Sequence, residues 1–507
     1  KEGVCGGGAA SAASPASAPA FLPNAPHPFR KNSEHLVRVS SLAFGGLAVA
    51  KILGPPPEPS VQELAAGAEA VEAAAAAAER FTLLVRDGRP GAVMLVRVIR
   101  RRKGYAEAVP LEVVEESPFV VEKVRCPNFG VFRCGGCAMQ DLEYARQIVE
   151  KEEQVRFLFR RVEERVRAEG TPPWHFFPIR GVDEDGVFRY RGKMDFSWGV
   201  NEWLVPGQEE DAKSGAAEGA EDDGWVFGFH APTRFDKIVS IRECHIQPAI
   251  GDEIIGFVCD YTRPRRPTLP PYDNVPHTGM LRNLMLRFAT DRDGTDQVMV
   301  NFITSYTDDK GAALRPLAEA LVAKFPSVVS VLQNMTKTMS SQTRGDVEIV
   351  LAGRNFITQH LLGLDFRISA NSFFQTNPSQ ARHLYTAIIA AANLTGTETV
   401  YDLFCGTGSI GLCLAPSAAQ IFGIDIVPAA IDDARLNAAA NNVPNASFAV
   451  GNLDVFEVGG AAATAGVAEP DVVIVDPPRG GLGKTLVEFL AGRGSAAARK
   501  ARRDAKG

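Results

Sequence analysis

Three features of the chain predict an α/β protein of several domains that ends in a parallel sheet. Its 507 residues exceed what a single core usually holds. Short apolar runs separated by Gly and Pro turns fill most of the chain before residue 370, as in small β-rich domains. From about residue 380 strands alternate with helices, an order that a parallel sheet with crossover helices accommodates.

Composition narrows the class. Hydrophobic residues make up 45% and charged residues 22%, the balance of a globular protein. The net charge of -6 does not announce a nucleic-acid binder, but phosphate contacts depend on local patches such as "RVIRRRKGY", Arg97 to Tyr105. The competing reading of that run is a solvated strand end. No apolar stretch approaches the roughly 18 to 20 residues that span a bilayer, so no membrane partner is expected. The chain starts at Lys1, and Glu2 is its only acid before Glu34. That acid-poor Ala/Ser/Pro opening suits a transit peptide for a chloroplast or mitochondrion, or equally a plain disordered tail on a cytoplasmic protein.

In chain order, residues 1–33 offer too little apolar surface to offset the entropy of ordering and read as a disordered tail. Residues 34–120 read as short strands of a small barrel, turning at Gly45-Gly46, Asp87-Gly88 and Pro90-Gly91, with a low-complexity insert at 55–79. A central β-rich domain is expected over 121–375. It opens with one long amphipathic helix from Asp141 to Gly170, capped by Asp141, whose apolar positions include Leu142, Ile148, Val155, Leu158, Val162 and Val166. Within the same domain the acidic stretch 207–224 reads as a solvated hairpin tip. Residues 376–490 form the α/β domain: a helix near 378–393, then "TVYDLF", "GSIGLCLA", "QIFGID", "AAIDDARLNAAANN", "ASFAVG" and "DVVIVD" as alternating strands and helices. A basic tail, 491–507, closes the chain.

Of eight cysteines, three lie in "CPNFGVFRCGGC" as Cys126, Cys134 and Cys137. Such crowding beside a Gly-Gly points to a metal or cluster site, with Cys244 of "SIRECHIQ" the best fourth ligand. The spacing leaves zinc and a 4Fe-4S cluster both open. Cys5, Cys259 and Cys413 read as ordinary thiols.

"VYDLFCGTGSIGL" places Asp402 at a strand end and glycines at 406, 408 and 411 in the following turn, where a backbone can approach a ligand. Asp425 ends the next strand about 20 residues on, placed to accept hydrogen bonds from a ribose. Asn452 and Asp476 end two more strands, so four polar groups gather on one sheet edge. The glycines lack the full dinucleotide pattern, which favours S-adenosylmethionine over NAD.

Taken in order, "CPNFGVFRCGGCAMQDLEYARQ", "YRGKM", "GFHAPTRFDKIVSIREC", "GMLRNLMLR", "ISANSFFQTN", "DLFCGTGSIGL" and "DPPRGGL" resemble the RNA uracil-C5 methyltransferase family, in its iron-sulfur, TRAM-domain branch, over about residues 35 to 490. The resemblance implies an OB-like TRAM barrel, a central RNA-binding domain with a 4Fe-4S cluster on Cys126, Cys134, Cys137 and Cys244, and a Rossmann-like methyltransferase domain. It implies S-adenosylmethionine contacts at Gln375, Phe404, Ser409, Asp425, Asn452 and Asp476, with Phe373 and Phe374 near the target base, and a monomer acting on tRNA or rRNA. Seven residues separate the first two cysteines, a longer loop than is usual in the family, and Gly192 stands where the family often has Asn.

Family members are expected to attack uracil C6 with a cysteine placed beyond the DPPR element and to use a glutamate base near the C-terminus. Neither is found here: no cysteine follows Arg479. Cys405 sits in the cofactor turn and does not substitute. The expectation is therefore a truncated or mis-spliced gene model, in which "GSAAARKARRDAKG" is foreign to the fold. Such a polypeptide would be catalytically dead and poorly soluble, with "DVVIVD" an exposed apolar edge. The alternative is an inactive RNA-binding iron-sulfur protein.

Overall fold

The computed structural model describes residues 29–53, 82–102, 104–130, 133–170, 175–204, 224–232, 234–339, 345–453 and 466–491. Two compact units are distinguished, one of residues 1–123 with 141–179, the other of 124–140 with 180–507. The inserts expected at 55–79 and 207–224 and the basic tail lie wholly or almost wholly outside the described residues.

In the first unit, β1 (Glu34–Leu42), β2 (Ala48–Ile52), β3 (Thr82–Val85), β4 (Val93–Arg101) and β5 (Tyr105–Glu115) close into a barrel of order β1-β2-β3-β5-β4. Alternation explains the closure: Val37, Val39, Leu83, Val85, Val96, Val98, Ala106 and Ala108 all point inward and are buried. Closure also leaves no unpaired strand edge. The β1–β2 turn needs Gly45 and Gly46, whose φ values of 85° and 82° suit only a residue without a side chain.

Helix α1 (Tyr144–Ala168) belongs to the same unit. It differs from its sequence reading in two ways. Asp141 is not the cap: Glu143 holds that position without a side-chain bond, and both oxygens of Asp141 accept from Arg89 Nε at 2.8 Å. The apolar Val155, Leu158 and Val162 stay exposed, and among the described helix residues only Glu150 is buried. The attachment to the barrel is polar, because Glu150 accepts from the Leu42 N–H at 2.7 Å and Gln154 donates to the Leu42 carbonyl at 2.9 Å.

The second unit carries a seven-stranded sheet of order β12-β11-β10-β9-β6-β7-β8, built from β6 (Lys193–Gly199), β7 (Val226–His230), β8 (Ile238–Ser240), β9 (Leu281–Thr290), β10 (Asp296–Ser305), β11 (Val328–Thr336) and β12 (Val347–Gly353). The region read as β-rich also holds α2 (Ala249–Thr262) and α3 (Arg315–Lys324). The second is the crossover that makes β10 and β11 parallel. One sheet face packs Phe196, Trp198, Leu284 and Phe302 into a core with these helices. Its other face, through Met285, Met299, Ile303 and Leu332, shares a second core with the hairpin β13 (Phe356–Leu361) and β14 (Leu364–Ser369) and with the α/β domain. Each large apolar side chain so buried contributes roughly 1.5–3 kcal/mol.

The α/β domain follows as α4 (Pro378–Ala392), β15 (Thr399–Leu403), α5 (Ser409–Leu414), β16 (Gln420–Asp425), α6 (Pro428–Ala440), β17 (Ala446–Val450), β18 (Val472–Val475) and α7 (Lys484–Leu490). All four strands are parallel in the order β17-β16-β15-β18, so their carboxyl ends share one edge. Among the described residues β18 borders the sheet; its residues are half-buried, and Leu482, Leu486 and Phe489 pack into the adjoining core.

Candidate cofactor site and cysteine cluster

The turn after β15 is held by two carboxylates. Phe404 has a φ of 65°, a left-handed conformation that costs a side-chain-bearing residue about 1 kcal/mol or more. This twist turns the chain into the glycine run. Asp425, at the end of β16, accepts from the Gly406 N–H at 3.0 Å and from the Val427 N–H at 2.8 Å. Asp402, fully buried at the end of β15, accepts from the Gly411 N–H at 2.9 Å. Gly411 is required because a Cβ there would lie 2.9 Å from the Asp402 carboxylate.

These carboxylates form an uncompensated anionic edge. Burial, and then the charges of Asp476 and Asp425, push the Asp402 carboxyl up to about 7, against the opposing pull of the Gly411 N–H. Its Oδ1 is buried without a partner. Asp476 follows β18, and its N–H reaches the Leu403 carbonyl at 3.4 Å. Among the described residues no Lys or Arg pairs with Asp402, Asp425 or Asp476. Asp402 is buried, Asp425 half-buried and Asp476 exposed, so the inner member of this edge carries the desolvation cost, and a cationic ligand would favour its ionised form.

The other residues expected at the cofactor are placed differently. The Gly451 N–H donates to the Asp425 carbonyl at 2.9 Å, which sets half-buried Asn452 beside that strand end. Ser409 is buried, with its hydroxyl 2.8 Å from the Tyr385 hydroxyl of α4. Gln375 lines a recess with Lys193, Arg287, Phe374 and Thr376 against the central sheet. Phe374 is core, tilted against Phe366 at 5.8 Å, whereas Phe373 is 63% exposed.

Cys405 is buried in the cofactor turn, and burial beside Asp402 and Asp425 pushes its thiol far up. Burial likewise pushes the Cys413 thiol up to about 12. Neither is a poised nucleophile.

Cys126, Cys134, Cys137 and Cys244 are brought into one electrostatic neighbourhood, all reduced and partly buried. Their sulfurs meet donors: Gln140 approaches the Cys137 sulfur at 3.7 Å, the Gly136 N–H serves Cys134, and the Ile246 and Gln247 N–H groups serve Cys244. Among the described residues no three His, Cys, Asp or Glu converge closely enough to hold a single metal ion, for which sulfur must lie about 2.3 Å from zinc. The donors that meet these sulfurs favour their thiolate forms. At Gly192 a Cβ would lie 3.3 Å from Pro378 Cδ, a tight contact that a side chain there would have to relieve.

Three arginines of the barrel run meet two glutamates of their own unit, Glu107 being shared. Arg97 pairs with Glu34 at 2.7 Å, and Arg100 and Arg102 pair with Glu107 at 3.6 and 3.3 Å.

The parallel sheet, its glycine turn and the acidic carboxyl edge define the class of Rossmann-like, S-adenosylmethionine-dependent methyltransferases. Residues 394–461 match the family model of a methyltransferase domain. The Pyrococcus abyssi tRNA (uracil-54, C5)-methyltransferase, solved with S-adenosyl-L-homocysteine, shares the fold at a TM-score of 0.58 and 24% identity, over 90% of this chain and 86% of that one. An RNA methyltransferase of Chlorobaculum tepidum is 34% identical over 78% of this chain and 77% of its own length. Another, of Halalkalibacterium halodurans, is 33% identical over 91% and 86%. The chain belongs to this family of RNA methyltransferases.

Proposed function

We propose that this chain binds S-adenosylmethionine at the Asp402–Asp425–Asp476 edge and serves the methylation of uridine at C5 in tRNA or rRNA. The observation that carries the reading is that acidic edge, which has no basic partner among the described residues and suits a sulfonium donor. Asp425 would take the ribose hydroxyls, with Phe404 and Asn452 beside them, and Asp476 and Gln375 would face the methyl-transfer side. Exposed Phe373 offers a ring on which a flipped uracil can stack. The P. abyssi neighbour's own substrate supports uridine as the target.

The chemistry asked of such a site is definite. A thiolate adds to uracil C6, the electrons pushed to C5 displace the methyl group from sulfonium, and a base then takes the C5 proton while the thiolate leaves. The family's nucleophile and general base are assigned to no residue here. A second reading, a protein that binds cofactor and RNA without transferring methyl, is favoured by the buried state of Cys405 and Cys413.

Cys126, Cys134, Cys137 and Cys244 would hold a 4Fe-4S cluster. Ligated by four thiolates, it would pin the 126–137 loop to the Cys244 loop. On this reading the barrel is the TRAM module. Calorimetric titration of the full chain with S-adenosylmethionine and S-adenosylhomocysteine tests the proposal, followed by transfer of labelled methyl to tRNA and rRNA transcripts. Absence of affinity for both ligands rejects methylation. Affinity without label at uridine C5 selects the second reading.

A further inference from the structure

Helix α6 does more than cross between two strands. Asp433 and Asn437, and Asn441 at the C-cap, recur every four residues along one side of a helix otherwise rich in alanine. That face lies along β14, whose backbone it serves as a neighbouring strand would. Asn441 accepts from the Asp365 N–H and donates to the Asp365 carbonyl, both at 2.8 Å. Asn437, fully buried, accepts from the Arg367 N–H at 2.8 Å and also donates to the Thr407 carbonyl at 3.2 Å, inside the glycine turn. Asp433, also buried, takes both hydroxyls of the next stretch, Ser369 at 2.7 Å and Ser372 more closely. From the opposite side buried Arg287 of β9 donates to the Ala370 carbonyl at 3.2 Å and to the Ser372 carbonyl. The residue after this doubly fastened stretch is exposed Phe373.

We propose that the Asp433–Asn437–Asn441 face of α6 is a positioning element that fixes the Phe373 loop in register with the cofactor turn. The inference rests on the proposed function for the identity of what Phe373 meets. Its mechanical content does not. Bonds from two hydroxyls to buried Asp433 on one side, and from buried Arg287 to two backbone carbonyls on the other, leave the loop no low-cost alternative, since each would strand a polar group. Asp433 and Asn437 are positioning residues and touch no reacting atom.

The test uses the full chain with Asp433→Asn, Ser372→Ala and Phe373→Ala, and Asp432→Asn as a control whose side chain is 70% exposed. Amide hydrogen exchange reads residues 369–376, calorimetry reads S-adenosylhomocysteine, and anisotropy of fluorescein-labelled oligouridine reads RNA affinity with that ligand saturating. Expected are faster exchange in 369–376 for Asp433→Asn and Ser372→Ala but not Asp432→Asn, and S-adenosylhomocysteine affinity within about twofold of the parent. Probe affinity should fall about fivefold or more, with no further loss when Asp433→Asn is added to Phe373→Ala. Additive losses, or exchange unchanged by Asp433→Asn, overturn the proposal. If the parent binds neither ligand nor probe, the functional reading fails, and the exchange comparison alone decides the positioning role.

Discussion

The barrel and the parallel sheet both carry clusters of like charge, and the fold treats them oppositely. On the barrel, Arg97, Arg100 and Arg102 lie exposed and each meets a glutamate across the strands. At the carboxyl edge of the α/β sheet, Asp402, Asp425 and Asp476 converge with no basic partner among the described residues, and Asp402 is fully buried. Exposed charges that meet partners at the surface, here three arginines against two glutamates, cost little to hold. Acidic groups gathered at one strand-end edge, from buried Asp402 to exposed Asp476, with no basic partner among the described residues, mark where an outside cation is expected.

The sharpest way to break this contrast is Asp425→Ala. The substitution removes the acceptor of the Gly406 and Val427 N–H groups and the carboxylate placed for a ribose. Affinity for S-adenosylhomocysteine should drop about a hundredfold, the worth of two charge-assisted hydrogen bonds. Calorimetry that finds a loss below about threefold would remove Asp425 from the site.

Asp402→Asn tests the burial half of the contrast through pH. The folded carboxyl titrates at about 7 and its ordinary value is 3.8. Between those values the native state holds a proton that the unfolded chain has released, so stability falls as pH rises through that window and levels off above it. The cost at pH 8 is at most about 4 kcal/mol. Asp402→Asn lacks that titration and should melt higher than the parent at pH 8, with the gap closing toward pH 4. A gap that is flat or widens on acidification would show that Asp402 is not the titrating group. Because a sulfonium would favour the ionised form, preference for S-adenosylmethionine over its uncharged product should grow with pH across the same window.

How much of this was legible in the sequence follows from what each feature depends on. The α/β order was readable because every strand of a buried parallel sheet is an apolar run and ends where its polar residue stands; Asp402, Asp425 and Asp476 all follow that rule. Cys126, Cys134 and Cys137 stood out by crowding, whereas Cys244 was named only as the best available fourth thiol. The acidic edge as an electrostatic unit was not, since it depends on β15, β16 and β18 being neighbours although β18 is distant in sequence. The α6 ladder was equally hidden. Its spacing is visible in "IDDARLNAAANN", but nothing local says that β14 lies alongside. Helix α1 misled for a related reason: its apolar spacing suggested a packed face, yet buried Glu150 makes the attachment. Helices α2 and α3 were missed because short helices opening at or beside prolines look like turns between strands.

The same dependence on pairing decides the smallest effect. Antiparallel register sets Glu34 opposite Arg97 and Glu107 opposite Arg100, so a run that reads as a free basic patch is built as cross-strand ion pairs. Exposed pairs of this kind contribute about 0.2–1 kcal/mol and are screened by salt. Arg97→Ala should therefore shift the unfolding free energy by less than about 1 kcal/mol. It should also leave the affinity for an oligouridine probe within about twofold, because its charge is already engaged with Glu34. Glu34→Ala is the informative partner: freeing Arg97 should raise probe affinity and steepen its salt dependence by up to about one counterion. If Arg97→Ala weakened probe binding strongly while Glu34→Ala changed nothing, the barrel arginines would be an RNA surface that the ion pairs merely hold in place.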